Sequence, residues 1–211
     1  MELGVDSYVR QVEAWPPGGQ HLLAQYSESS VAVFIPSTDQ TADFLAEYGV
    51  LGAALQSTGM LWLRTNFLSA MKECQWGRRS DFPRMLVVYL RRESFEVLLS
   101  KAVLSTFQPH LFETKRSWEL ALRYTLVRAR WVEDPDPSCS GTGRQGLELG
   151  IRGDVLRSFS GEWVDGVEDI TEFVHSQRSN SAPAQYPLLK VPVLADYPMD
   201  DDLALRLGFE R

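Results

Sequence analysis

The sequence predicts an α+β fold, built as one domain around a mixed or largely antiparallel central sheet with flanking helices. Short apolar strands and amphipathic helices interleave irregularly, which favours this class over a repeating βαβ unit. The chain has 211 residues, 44% of them hydrophobic, so a single domain of this length can bury a sizeable core. The sequence shows no internal repeat and no run of about 20 apolar residues, so neither a repeat protein nor a membrane span is expected.

The elements of the first half follow from hydrophobic periodicity and from Pro and Gly. Residues 1–20 are expected to form an N-terminal extension that ends in the turn-rich WPPGG segment. The continuous apolar run MLVVYL predicts a strand in the centre of the sheet. Asn66 or Thr65 is the expected N-cap of the second helix. The predicted elements are a strand at Ser30–Ile35, a helix at Asp39–Gln56, a helix at Trp62–Trp76, a strand at Met85–Leu90 and a helix at Arg92–Leu104.

The second half is read in the same way. Residues 133–143, EDPDPSCSGTG, have the composition of an exposed loop, and residues 178–195 that of a loose connection before the C-terminal helix. The predicted helices are Ser117–Tyr124, Asp154–Phe159, Thr171–Gln177 and Asp200–Leu207. The predicted strands are Leu126–Trp131, Leu147–Ile151 and Glu162–Ile170.

The charge is unevenly distributed along the chain. The formal net charge is -7, but residues 60–131 carry a net charge of +7 between acidic flanks. Local charge governs attraction to a polyanion, because screening limits its reach to about 8 Å. The crowding of arginines between two tryptophans and a buried strand predicts one connected basic surface, made of Arg64, Arg78, Arg79 and Arg84.

The sequence contains none of the motifs that mark common enzyme classes. The phosphate-binding, dinucleotide-binding, nucleophile-elbow and zinc-protease patterns are all absent. The three histidines are scattered and the two cysteines, Cys74 and Cys139, are far apart, so neither a metal nor a cofactor is expected. The low cysteine count and the absence of a secretory signal predict a cytoplasmic protein.

Glu148 is the most informative single residue, because it lies inside the apolar strand LELGI. Strand alternation places Leu147 and Leu149 on the opposite face, so Glu148 is expected to face a pocket with a cationic partner. Whether it pairs structurally or acts on a substrate is left open by the sequence. The candidate partners on neighbouring strands are Arg144, Arg130 and Arg128.

Six segments of the chain, spread over residues 22–209, resemble domain-of-unknown-function family 4291. They include MLWLRTNFLSAMKECQW, MLVVYLRRESFEVLLSKAVLSTF and LELGIRGDVLRSF. Several differences from the family pattern, Phe34, Ile35 and Thr65 among them, fall where a polar site is expected. The family's Lys is Arg64 here, its Tyr-Arg pair is Lys72-Glu73, and Glu148 stands where Gln is usual.

Similar fungal proteins look like arginine-containing cyclodipeptide synthases, so the resemblance implies this activity in secondary metabolism. Such an enzyme takes its amino acids from arginyl-tRNA and a second aminoacyl-tRNA and joins them as a diketopiperazine. It needs a base, oxyanion stabilisation and a carboxylate that holds the guanidinium. The candidate catalytic residues are Glu148, Arg64 and Asn66. The candidate substrate-binding residues are Trp62, Trp76, Arg78, Arg79, Arg130, Glu162 and Asp165.

Two alternatives belong to other functional classes. A non-catalytic nucleotide- or RNA-binding module would use Arg64, Arg78, Arg79 and the nearby tryptophans, which suit stacking on bases. An NAD-dependent ADP-ribosyl transferase fits the chain length and the mixed α+β pattern, but no catalytic triad spacing supports it. The sequence does not define the oligomeric state.

Overall fold

The computed structural model describes residues 1–48 and 59–209 of the chain. Its strands, in chain order, are β1 (Val5–Ser7), β2 (Gly19–His21), β3 (Leu23–Ala24), β4 (Ser30–Ser37), β5 (Leu61–Arg64), β6 (Arg84–Arg91), β7 (Val103–Leu104), β8 (Val127–Pro135), β9 (Gly141–Ile151), β10 (Val164–Asp169), β11 (Lys190–Pro192) and β12 (Ala195–Asp196). Its α-helices are α1 (Tyr8–Ala14), α2 (Asp39–Tyr48), α3 (Phe67–Cys74), α4 (Arg92–Lys101), α5 (Lys115–Tyr124), α6 (Gly153–Phe159), α7 (Thr171–Gln177) and α8 (Asp201–Arg206).

The central sheet runs β10–β6–β4–β5–β9–β8–β7 from edge to edge, and β2 lies beside the first part of β9. All neighbours from β10 to β8 are antiparallel, whereas β7 pairs with β8 and β2 with β9 in parallel. The predicted α+β class, with a mixed and mostly antiparallel sheet and flanking helices, is confirmed. The run Met85–Leu90 is buried within β6, between β10 and β4, as its continuous apolar pattern predicts.

Each face of the sheet packs against its own layer of helices. Val33 and Leu63 belong to one core, which includes Phe95 of α4 and Phe159 of α6. Phe34 belongs to the other core, and its ring lies 5.4 Å from that of Phe67 in α3. Arg64 pairs across from Phe34 and therefore lies on this second face, where the surface changes from apolar to charged.

The two ends of the chain pack together, so the expected extension at 1–20 and the expected loose connection at 178–195 are corrected. β1 pairs with β11 and β3 with β12. Trp15 is buried and donates from Nε1 to the Leu194 carbonyl at 3.0 Å. Two 3-10 turns at Arg178–Ser181 and Pro183–Leu188 occupy the supposed connection. Local composition carries no information about this pairing, because its partners are about 180 residues apart.

Other boundaries differ where tertiary pairing overrides local periodicity. Leu61–Arg64 forms a strand against β9, so the helix predicted from Trp62 begins only after Asn66. The Asn66 cap is confirmed, since its Oδ1 accepts from the Leu68 amide at 2.9 Å. The supposed loop at 133–143 is largely the paired ends of β8 and β9. The end at Gln56 that the sequence predicts for the helix beginning at Asp39 lies outside the described residues.

Candidate functional site

Three charged side chains form a row across β5, β9 and β8. Strand register places Arg64 beside Glu148, and Glu148 beside Arg130. Arg64 Nε donates to Glu148 Oε1 at 2.8 Å, and Arg130 donates to Oε2 from Nε at 2.9 Å and from Nη2 at 2.7 Å. Glu148 is only 5% exposed. The expectation that it faces inward beside a cation is confirmed, with both carboxylate oxygens occupied.

The indole of Trp62 extends this row. The Arg130 guanidinium carbon lies 3.7 Å from the centroid of the Trp62 ring, within cation–π distance. Gly150 is the β9 residue opposite Trp62, and a Cβ there would lie 2.7 Å from Met60 Sδ and 3.1 Å from the indole. The missing side chain at Gly150 therefore leaves room for the indole to cross β9 toward Arg130.

A cleft of about 360 Å³ opens beside the row, between α3 and the strands. Its walls carry both signs of charge. Glu73 on α3 contacts Arg64 Nη2 at 3.4 Å and Arg79 Nη1 at 3.6 Å, and its side chain remains 39% exposed. The cations that line the cleft are Arg64, Lys72, Arg79 and Arg130, and the acids are Glu73, Glu133 and Glu148.

An apolar groove of about 160 Å³ adjoins the cleft. Trp62, Phe82 and Pro36 line it, together with Arg64 and Glu73, which also line the cleft. The two depressions thus share one ion pair, with polar surface on one side of it and apolar surface on the other.

A second buried charge cluster lies at the N-terminus of α3. Asn66 Nδ2 donates to Asp134 Oδ1, and Arg144 Nε donates to Asp134 Oδ2 at 2.9 Å. Arg144 also donates from Nη1 to the Pro16 carbonyl at 3.3 Å and lies over the Trp15 ring. Burial raises the pKa of Asp134 above its usual value, although hydrogen bonds from Arg144 and Asn66 act in the opposite direction. Asn66 thus connects α3 to this cluster, because its side-chain oxygen accepts from the Leu68 amide and its side-chain nitrogen donates to Asp134.

A cavity of about 10 Å³ separates the two charge clusters. Residues of both clusters line it, namely Glu148 and Arg64 of the row and Asp134 and Asn66 of the second cluster, together with His21. This volume is close to the space that one water molecule needs, and its polar walls suit one.

Two predicted substrate-binding carboxylates lie elsewhere. Glu162 is exposed in the turn before β10, although a strand was predicted from this residue. Asp165 on β10 pairs with Arg91 at 3.0 Å and accepts from the Ser30 hydroxyl. Three strands separate β10 from β9, so the structure does not bring these residues to Glu148. Sequence order could not reveal this, because the strand order of the sheet is not the chain order.

Trp76 is corrected from substrate contact to core residue. It is 2% exposed, donates from Nε1 to the Pro137 carbonyl at 2.9 Å, and packs its ring edge-on against Phe67. Cys74 is also buried, and burial raises the pKa of its thiol despite the cations nearby in sequence.

The connected basic surface expected from four arginines is not formed. Arg64 is buried, and Arg79, which reaches the cleft, pairs with Asp81 as well as with Glu73. Arg78 is exposed. Arg84 is held by the carboxylates of Asp39, Asp43 and Asp169.

Several residues of the site were not identified as candidates from the sequence. The composition of residues 133–143 predicts an exposed loop for Asp134, but in the structure it follows Arg128, Arg130 and Val132 on one face of β8. The sequence signal for this position is continued strand alternation. Lys72 and Glu73 appeared only as departures from the family pattern.

Within residues 1–48 and 59–209, no group of three His, Cys, Asp or Glu side chains has the arrangement of a metal site. The same residues include no helix of the length and apolarity that a membrane crossing requires.

Comparison with known proteins adds one result to this geometry. A family model described as a domain of unknown function, DUF4291, matches residues 21–196. The chain belongs to the DUF4291 family. No curated protein matches the chain significantly. The DUF4291 match covers both charge clusters and the cleft.

Proposed function

We propose that this DUF4291 protein transfers aminoacyl groups from charged tRNA and makes an arginine-containing cyclic dipeptide in the cleft between α3 and the strands. The observation that carries the proposal is the buried Arg64–Glu148–Arg130 row facing a cleft that Lys72 and Arg79 also line. The fungal enzymes that the sequence resembles supply the reaction class.

Stability alone is a poor reason for such a row. Burying an ion pair costs desolvation energy that its Coulomb attraction often only offsets, so apolar residues of similar volume would hold the strands together as well. Arg130 keeps 39% of its side chain exposed at the cleft, and its guanidinium is oriented by Glu148 and Trp62. A fixed, partly exposed guanidinium suits contact with a phosphate or a developing oxyanion.

The protein needs to supply little covalent chemistry for this reaction. The α-amine of one residue attacks the ester carbonyl of the other, an amide bond forms, and the ester oxygen leaves on the tRNA ribose with a proton. The second amine then attacks the remaining ester in the same way and closes the ring. Holding the amine about 3 Å from the carbonyl contributes most of the acceleration.

The proposed roles follow from which side chains keep free capacity. Glu148 has both oxygens occupied by the protein's own arginines, so it serves as a positioning residue that orients Arg64 and Arg130. Asn66 is likewise engaged by Asp134 and the helix amide, and it positions α3. Glu133 is exposed in the cleft, and half-buried Glu73 holds Arg64 and Arg79 only at 3.4 and 3.6 Å, longer than the contacts of Glu148. We assign the guanidinium of the arginyl substrate to Glu73 and Glu133.

The test is production of the cyclic dipeptide. The chain is expressed in a bacterial host, and the medium is searched by mass spectrometry for arginine-containing diketopiperazines. The purified chain is then supplied with arginyl-tRNA and a mixture of other aminoacyl-tRNAs. Glu73→Gln is expected to lower arginine use about 30-fold or more, because a buried or partly buried guanidinium loses its counter-charge.

Glu93→Gln on α4 is the matched control, since it makes the same chemical change at an exposed position of a helix that packs on the other face of the sheet. Absence of any arginine-containing cyclic dipeptide from the wild-type protein would refute the enzyme assignment. RNA binding without product would instead favour the non-catalytic RNA-binding alternative.

A further inference from the structure

Helix α5 (Lys115–Tyr124) lies on the surface and contains no buried residue. Its inner side is only half-buried and includes Trp118, which donates from Nε1 to the Leu104 carbonyl at 2.8 Å and contacts the Phe107 ring. A capping box formed by Thr114 and Ser117 fixes the start of the helix. The helix is thus well anchored while most of its surface is free to meet a partner.

The outward side of α5 mixes cations with one aliphatic and one aromatic side chain. Leu120 is 55% exposed and Tyr124 is 71% exposed. One helical face carries Arg116, Glu119, Leu120, Arg123 and Tyr124, so a single acid lies among these cations. An aromatic ring beside arginine is the combination that stacks on nucleic-acid bases and contacts their phosphates.

Two further guanidiniums cap the C-terminus of α5. Arg128 Nη2 donates to the Leu122 carbonyl at 3.1 Å. Arg152 donates from Nε to the Thr125 carbonyl at 3.0 Å and from Nη2 to the Arg123 carbonyl. The helix and its caps form what we call the α5 basic surface, made of Lys115, Arg116, Arg123, Arg128 and Arg152.

None of these five cations forms an ion pair with a carboxylate among the residues that the structure describes. In contrast, Arg64, Arg79, Arg84, Arg130 and Arg144 each pair with at least one carboxylate. A chain with a formal net charge of -7 therefore keeps five cations around one helix, against the two acids Glu113 and Glu119 in the same segment. Such a group attracts a polyanion at short range despite the net negative charge.

The α5 basic surface is continuous with the cleft. Arg128 and Arg130 lie on the same face of β8, two residues or about 7 Å apart. Arg130 faces the cleft, whereas Arg128 reaches back to the end of α5. A single polyanion bound along α5 would therefore extend to the opening of the cleft.

We propose that the α5 basic surface binds the double-helical acceptor stem of the tRNA, while the single-stranded 3′ end enters the cleft. This inference rests on the proposed function, since it names how the same site recognises its substrate. A membrane surface is a poorer partner, because interfacial helices bury a broad apolar face. The exposed face of α5 offers only Leu120 and Tyr124 for that purpose.

The test compares two triple variants of equal charge change. Lys115→Gln, Arg116→Gln and Arg123→Gln together remove three phosphate contacts from α5, and Gln preserves helix propensity. The control is Arg10→Gln, Arg91→Gln and Lys190→Gln, which removes three exposed cations elsewhere. Both variants are first checked by circular dichroism and thermal unfolding.

Unacylated tRNA is titrated by fluorescence anisotropy between 50 and 300 mM salt. The α5 variant is expected to bind about tenfold or more weakly, and its log–log salt slope should fall by about 2 to 3, whereas the control keeps the wild-type slope. Equal loss in both variants, or none in either, would overturn the proposal. So would a preference of the wild type for phosphatidylserine vesicles over tRNA.

Activity separates this inference from the proposed function. With arginyl-tRNA the α5 variant should show a raised KM and an unchanged kcat. With 2′(3′)-O-arginyl-adenosine, which lacks the stem, it should equal the wild type. Equal loss on both substrates would overturn stem docking. If tRNA binding depends on α5 but no cyclic dipeptide forms, the docking surface stands and the proposed function fails.

Discussion

Replacing Glu148 by Gln tests the buried row directly. The carboxylate accepts three hydrogen bonds from two guanidiniums. Gln keeps one acceptor oxygen, but its amide nitrogen would turn N–H donors toward a guanidinium that only donates. One arginine therefore loses its partner, and the row loses its only negative charge.

The magnitude depends on how buried each partner is. The Arg64 side chain is 7% exposed, and removing one partner of a buried pair costs about 3–5 kcal/mol. Arg64 retains Glu73 at 3.4 Å, which favours the low end of this range. Arg130 is 39% exposed, so solvent screening limits its share to about 0.5–1 kcal/mol. We expect a loss of about 3 kcal/mol, or a Tm lower by about 6–12 °C in a domain of this size.

Urea unfolding of a double-mutant cycle measures the interaction itself. The resemblance to the family implies Lys in place of Arg64 and Gln in place of Glu148, so we expect Arg64→Lys with Glu148→Gln to restore a compatible pair. We expect the double variant to be about 2 kcal/mol more stable than the sum of the single changes predicts. A cost below about 1 kcal/mol for Glu148→Gln, or additivity within about 0.5 kcal/mol, would refute the reasoning.

Three further predictions concern the surroundings of the row. Gly150→Ala should cost about 1–3 kcal/mol in urea unfolding, because its Cβ would lie 3.1 Å from the Trp62 ring; a neutral result would show that the indole has room to move. Asn66→Ala should cost about 2 kcal/mol, from the lost helix cap and a lost donor to Asp134, and Ser at this position should recover part of the cap. Asp134→Asn should be more destabilising at low pH than at neutral pH. Burial raises the folded-state pKa of Asp134, so the folded state binds this proton more tightly than the unfolded state does. Protonation of Asp134 therefore stabilises the fold at low pH, and this stabilisation is lost as pH rises from about 4 through the folded pKa. A destabilisation by Asp134→Asn that does not vary with pH would contradict this.

The sequence was sufficient to predict the fold class and the inward position of Glu148. Both follow from alternation and periodicity, which depend on neighbours within a few residues. The apolar run at Met85–Leu90 required a central strand, and Leu147 and Leu149 required Glu148 on the other face. The Asn66 cap was predictable for the same reason, since capping joins residues only two positions apart.

Only the tertiary structure decided which charges meet. Arg64 reaches Glu148, and Arg144 turns instead to Asp134, because strand register places them so. The pairing of β5 with β9 joins residues that are 84 to 90 positions apart. The same long-range pairing made strands of residues assigned to a loop and joined the two ends of the chain. Local sequence determines which way a side chain points along its own strand. The side chain it faces depends on the strand order and register of the whole sheet, which are fixed only when the fold forms.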